Sequence, residues 1–455
     1  SACTALNAIG VPADKAAAYK ATAGWLDYED KIYAINGKCG TNVYYSYNST
    51  TTTLSIFGTG AMADYTSRNI PWDDSYRTEI TTVVIGDGVT SIGSMAFNGC
   101  TGLTSIEIPA SVMTIGHDAF NSCTSLKSIT IPASVTSIGD FAFIYCTSLE
   151  SVEIPASVTY IGGEVFYGCT SLKSIEIPAS VTSIDDFAFV GCTSLASISV
   201  AEGNPTYDSR KKCNAIIETK TNTLLYGCKN TVIPDGVTSI DVAAFAHCTS
   251  LKSITIPASV TSIGDNVFER CTSLESIVIP ASVTSIGDWV FADCESLESI
   301  EIPASVTSIG KEVLAYCNAL ESISVATDNP TYHSKDNCII ETERHTLIQG
   351  CKKSVIPDDV TSIGETAFYY CASLTSIEIP ASVTTISSWA FGYCTGLTSI
   401  EIPASVTSIG EEAFAFCESL TSIAIPASVT AIGSWAFGYC TGLTSIIISD
   451  GVKIA

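Results

Sequence analysis

Cys123 to Tyr145 reads CTSLKSITIPASVTSIGDFAFIY, and the rest of the chain is a variation on this phrase. From Cys100 onward it returns every 23 residues, marked by cysteines from Cys100 to Cys192, from Cys248 to Cys317 and from Cys371 to Cys440. Each position has a physical task. In Ser128-Ile-Thr-Ile131 the period of two makes a short strand with Ile129 and Ile131 inward and Ser128 and Thr130 outward. Pro132 ends it, because proline has no N–H to give a ladder. Val135 and Ile138 point inward from the next side of a coil, and Gly139 allows a corner. Asp140 is expected to cap a short helical turn carrying Ala142 and Phe143 inward, before Cys146 closes the coil as a small apolar residue.

One such coil cannot hide its apolar face alone, whereas stacked coils bury a continuous core. A repeat of this length with Leu-x-x-Ile-x-Ile spacing is a leucine-rich repeat. The expected fold is therefore a repeat solenoid of stacked coils with one parallel β-sheet and short helical turns. Inward strand residues recur from Ile85 to Val200, from Ile233 to Val325 and from Ile356 to Ile448, which predicts sixteen strands. At the usual strand spacing that is an elongated body about 75 Å long.

The chain divides into three regions. Residues 1–36 form an N-terminal arm with a helix expected near residues 12–22. Residues 37–80 read as a β cap, with alternating runs Thr41–Tyr47 and Thr53–Phe57 about a Ser/Thr-rich turn, followed by Tyr65 and Trp72. Residues 81–455 are the solenoid proper, with longer repeats at 201–232 and 326–355. The two long repeats share Asn-Pro-Thr-Tyr, at Asn204–Tyr207 and Asn329–Tyr332, then Ile-Ile-Glu-Thr, and each is expected to carry a hairpin with its turn at Lys220–Asn222 or Glu343–His345.

Composition narrows function. A net charge of −25 argues against nucleic acid or anionic membrane as partner, and no apolar run is long enough to span a bilayer. Thirteen of the nineteen cysteines lie on the 23-residue ladder as a column of buried thiols, and ligand pairs at metal-binding spacing are missing. Cys213 with Cys228, and Cys338 with Cys351, flank the insertions, and Cys3 with Cys39 is a further off-ladder pair; each is either two thiols or, in an oxidising compartment, a disulfide. The four histidines are scattered, and no nucleophile, metalloprotease or phosphate-loop motif occurs. No catalytic residue, cofactor or metal site is expected.

The phrase IPASVTSIG…AF..C resembles the BspA-like (Treponema pallidum-type) leucine-rich repeats of bacterial surface proteins. Gly37–Gly40, Gly58–Tyr65 and Pro71–Trp72 resemble the N-terminal cap common in that family, and the NPTY units resemble one of its variant repeats. The resemblance covers residues 37–455. It implies a secreted or cell-surface bacterial protein that binds host extracellular-matrix proteins, neighbouring cells or glycans, without catalysis. It carries no fixed ligand motif. A monomer is expected; a structural spacer and a polysaccharide-targeting accessory domain are the alternative roles.

Outward positions are not fixed by packing, so binding residues are sought there. One band is acidic and lies on the sheet face: Glu107, Glu153, Glu176, Glu301, Glu378 and Glu401. It is either a solvated face or a surface for a basic partner or Ca²⁺. The other is aromatic: Trp389, Trp435 and, farther off, Trp289 lie two before the core Phe, while Tyr393, Phe416 and Tyr439 precede their cysteines. Those rings either clad the turns or make contacts with a protein or glycan.

Overall fold

The computed structural model describes residues 8–12, 15–23, 25–72 and 76–450. The chain forms two compact units, Ser1–Lys220 and Thr221–Ala455. Both are β-solenoids in which each coil lies on the last with a residue offset of 23. In the first unit, Ser128–Thr130 runs parallel to Ser151–Glu153 with Ile129 opposite Val152. A second ladder, unforeseen in the sequence, comes from the TSI segment: Ser137–Ile138 runs parallel to Thr114–Ile115. The second unit repeats both ladders, with Ser299–Ile302 on Ser322–Val325 and Ser285–Ile286 on Ser308–Ile309. Not every expected strand forms. Ile233, Ile256, Ile279 and Ile356 are buried as expected, yet their segments are not strands, and Thr255 and Val278 make only an isolated bridge.

The segment from Asp140 to Cys146 is a run of turns, not the short helix expected. Phe141 and Tyr145 adopt φ of 60° and 57°, the left-handed region that no continuing helix tolerates. The alternation sends amides in two directions. Ala142 and Ile144 donate within the coil, to Gly139 O and Phe141 O. Phe141, Phe143 and Tyr145 donate to the next coil, at Gly163 O, Val165 O and Tyr167 O, over 2.8–2.9 Å. A left-handed non-glycine residue costs about 1–2 kcal/mol; here it satisfies an amide and ties two coils together. Asp140 likewise works across coils, its Oδ1 accepting from Gly163 N at 3.1 Å.

The core is a set of columns. Phe120, Phe143 and Phe166 stack at 5.2 and 5.5 Å, and Phe368, Phe391 and Phe414 at 5.1 and 5.2 Å. Beside them ten of the thirteen ladder thiols donate to a phenylalanine carbonyl one coil back, as Cys146 does to Phe120 O (3.1 Å) and Cys294 to Phe268 O (3.2 Å). Nine ladder cysteines are buried; Cys248, Cys317, Cys371 and Cys440 are partly exposed, where an insertion or the last described coil interrupts the stack. The recurring Ser and Thr also join coils. Ser134 Oγ donates to Val112 O (2.7 Å), Ser180 Oγ to Val158 O (2.6 Å) and Thr284 Oγ1 to Thr261 O (3.2 Å).

In the first unit Val43–Asn48 and Thr53–Gly58 form an antiparallel hairpin. Asn48 Oδ1 tightens its turn by accepting from Thr50 N and Thr51 N. Thr53–Gly58 then pairs in parallel with Thr82–Ile85, so the hairpin passes directly into the solenoid's sheet. Upstream, the helix is Ala16–Lys20, and Ile9–Pro12 pairs in parallel with Ile32–Ile35.

The insertions share an anchor: Asn204 and Asn329 each donate to two carbonyls of the preceding coil at 2.9 Å. Tyr207 OH and Tyr332 OH accept from Ile184 N and Ile309 N. The second insertion has three strands, Tyr332–Lys335, Cys338–Glu341 and Thr346–Gln349, all antiparallel, and the last rejoins Ser362–Ile363 in parallel.

Candidate interaction surfaces

The second unit carries a continuous stack of aromatic rings on the flank of its turn segments. Tyr316, Tyr370, Tyr393, Phe416 and Tyr439 follow one another at centroid distances of 3.5, 4.1, 4.2 and 4.5 Å, with interplanar angles of 6–26°. Trp389 lies parallel to Tyr393 at 6.0 Å and Trp435 parallel to Tyr439 at 5.7 Å. The structure thus brings together all five residues singled out in the aromatic band. Trp389, Tyr393 and Phe416 are half-buried, whereas Trp435 and Tyr439 are 63% and 60% exposed.

All five stand in the left-handed region, with φ of 56–60°. This backbone points consecutive residues of a turn sideways, and the stacking of coils then lays each ring on its equivalent. Glycine makes room: a Cβ on Gly392 would stand 2.6 Å from the Trp389 ring, and one on Gly438 3.0 Å from the Trp435 ring.

At the near end of this flank lies a group of which the sequence reading singled out only Trp289. Trp289 and Tyr369, which belong to the coils on either side of Glu312 along this flank, meet edge to face at 6.4 Å. Tyr369 also meets Trp389 at 5.5 Å and Tyr393 at 5.8 Å. Glu312 Oε2 is buried with no hydrogen-bond partner. Burial, and next the charge of Glu365, pushes the Glu312 carboxyl up to about 7. Lys311, which acts in the opposite direction, is drawn to Glu365 at 3.1 Å. The available sequence signal was an alternation two positions before the core residue, Trp289, Glu312, then Trp389, Glu412, Trp435.

The acidic sheet band is exposed at all six positions. In the strand register Glu378 and Glu401 face each other, while Glu153 lies opposite Thr130, Glu176 opposite Ser199 and Glu301 opposite Ser324. Lys173 pairs with Glu150 rather than with the band itself. Glu378 and Glu401 line an open groove with Lys335, Asp336, Pro357 and Asp358.

Cys213, Cys228, Cys338 and Cys351 stand as buried thiols. Cys338 Sγ lies 3.6 Å from Val355 O and Cys213 Sγ 3.8 Å from Ala215 O. The pairing of Cys3 with Cys39 falls on a residue outside those described. Among the described residues no three His, Cys, Asp or Glu side chains gather as a metal site would require, and no helix is long and apolar enough to cross a membrane.

Stacked parallel coils, inward Leu and Ile, and an outward face free to vary define a leucine-rich-repeat solenoid. The BspA type Leucine rich repeat region model matches residues 70–208, 218–336 and 346–455. The chain belongs to this family. It is thereby a repeat protein of bacterial surface-protein type, a scaffold that is typically non-catalytic. Among solved structures it is similar to a leucine-rich repeat protein from Eubacterium ventriosum, at 25% identity and a TM-score of 0.53, covering 88% of this chain and 93% of that one. A leucine rich cell surface protein from Faecalibacterium prausnitzii matches at 28% identity and a TM-score of 0.47, covering 90% and 94%. A Bacteroides ovatus leucine-rich repeat protein matches at 29% and 0.42, covering 91% and 89%. No curated protein matches.

Proposed function

We propose that this is a secreted or cell-surface bacterial binding protein whose repeat surface recognises a protein on a host matrix or a neighbouring cell. The observation that carries the reading is the aromatic stack of Tyr316, Tyr370, Tyr393, Phe416 and Tyr439 with its flanking Trp389 and Trp435. Turns of the same unit with the same core place Asn266, Arg270 and Asp293 at these positions, so folding does not require rings there. Within the stack the ring faces cover one another and the edges are left for contact. Sugar rings stack on open aromatic faces, so this arrangement favours a protein partner over a glycan. Membership of a bacterial surface-protein family supports the location.

The test is an array of extracellular-matrix proteins and glycans probed with the purified chain and with its Trp389→Ser, Trp435→Ser double variant. The expected result is capture of a matrix protein that the double variant loses while its melting temperature stays within a few degrees. Silence of the native chain across the array overturns the reading in favour of a spacer. A sharp fall in melting temperature instead assigns the rings to cladding.

A further inference from the structure

Glu312 is the group on this flank that its own fold leaves unsatisfied. Its Oε2 has no hydrogen-bond partner, and Trp289 and Tyr369, from the coils on either side of it, meet edge to face at 6.4 Å. The cation that acts on it, Lys311, is drawn to Glu365. A carboxylate among aromatic rings suits a planar, weakly hydrated cation, which stacks on a ring and donates N–H groups to the carboxylate. An ammonium is more strongly hydrated and donates from a point rather than a fork. The same spacing returns farther along, where Trp389 and Trp435 stand one coil on either side of Glu412. There, too, burial and then Glu411 raise the carboxyl. The chain's 46 acidic against 21 basic residues favour approach of a basic partner over long range.

Resting on the protein-binding reading above, we propose that Trp289, Glu312 and Tyr369 form a cradle for an arginine guanidinium presented by a basic segment of the partner. The titratable groups around Glu312 are Glu365, Lys311, Asp288 and Tyr369. Protonation of Glu312 removes the charge that draws the guanidinium, so occupancy weakens as pH falls from 8 to 6.

Tryptophan fluorescence titration with the peptide Gly-Arg-Gly-Arg-Gly, its lysine and glutamate counterparts, and choline tests this. The arginine peptide is expected to bind several-fold tighter than the lysine peptide, and the glutamate peptide not at all. Glu312→Gln should weaken the arginine peptide at least tenfold at pH 8 and abolish the pH dependence. The control Glu275→Gln, at an exposed position of the same unit, should leave it unchanged. The proposal is overturned if the arginine peptide does not bind, if choline binds more tightly, or if Glu275→Gln does as much as Glu312→Gln. A matrix protein captured by Glu312→Gln at native strength but lost by the Trp389, Trp435 double variant also overturns it, leaving the protein-binding reading in place. The double variant retaining that capture would sink the broader reading instead.

Discussion

Trp72 lies against Phe97 with ring centroids 5.7 Å apart, and its Nε1–H donates 2.9 Å to Ala96 O. The indole is fully buried, held edge-on by Tyr45 and Tyr65, and so begins the phenylalanine column for the first unit. Trp72→Ala should cost about 3–5 kcal/mol locally. In a solenoid that loss is confined to neighbouring coils, so hydrogen exchange should quicken from Thr82 to about Cys123 and leave later coils protected. Uniform exchange across the first unit would refute it.

The buried ladder thiols should be inert in the native protein; Cys440, partly exposed and held below its ordinary value by its hydrogen bond with Cys417, is the exception. Burial pushes Cys192 and Cys317 up to about 12, and Cys100 and Cys371 likewise. A thiol with so high a pKa holds almost no thiolate at pH 8. A disulfide-exchange reagent should therefore react slowly with folded protein and recover at least thirteen thiols in denaturant. The full count is nineteen; it drops by two for each insertion whose pair is bridged. Stoichiometric zinc in the native protein would contradict the ladder's assignment.

At most helix or strand positions, exchanging alanine for glycine costs about 0.5–1 kcal/mol. Ala243 should behave oppositely, because it holds φ of 55° and is 3% exposed, with no side chain beyond Cβ to lose. Ala243→Gly relieves about 1 kcal/mol or more of left-handed strain against that entropy. The expected outcome is an unchanged or higher melting temperature, and a clear fall would show that the turn's backbone is not strained there.

Glu312 makes stability depend on pH in an unusual direction. Its carboxyl is raised from 4.5 to about 7, so the folded protein binds this proton more tightly than the unfolded chain. The associated stability is fully present below about 4.5 and is lost as pH rises through about 7. Because the group is only partly buried, screening limits the effect to the order of 1 kcal/mol. Glu312→Gln should flatten the curve between pH 5 and 8 and gain most over the native chain at pH 8. Parallel curves for the two proteins would disprove the link.

Much of this was legible in the phrase CTSLKSITIPASVTSIGDFAFIY. Inward Ile129, Ile131, Val135, Ile138, Ala142, Phe143 and Cys146 were identified from the phrase alone, and all are buried. Repetition is why: a side chain that must stack on copies of itself has no other environment to occupy. The hairpin turn at Glu343–His345 was read from a pair of similar insertions, and strands Cys338–Glu341 and Thr346–Gln349 flank it.

What the sequence left to the tertiary structure concerns contacts between coils. A one-dimensional pattern does not show that the Phe141 amide is satisfied by Gly163 O, so the turn reads as helix although its backbone is left-handed. It places Glu378 and Glu401 in a band with four other carboxylates, while strand register sets those two face to face. Glu312 looked like one more solvated carboxylate. Only stacking brings Trp289 and Tyr369 together across its coil and strips its oxygen of partners. Local alternation fixes which side of the chain faces the core, because burial follows from period. Which outward groups meet follows from the offset between coils, and that is settled only when they stack.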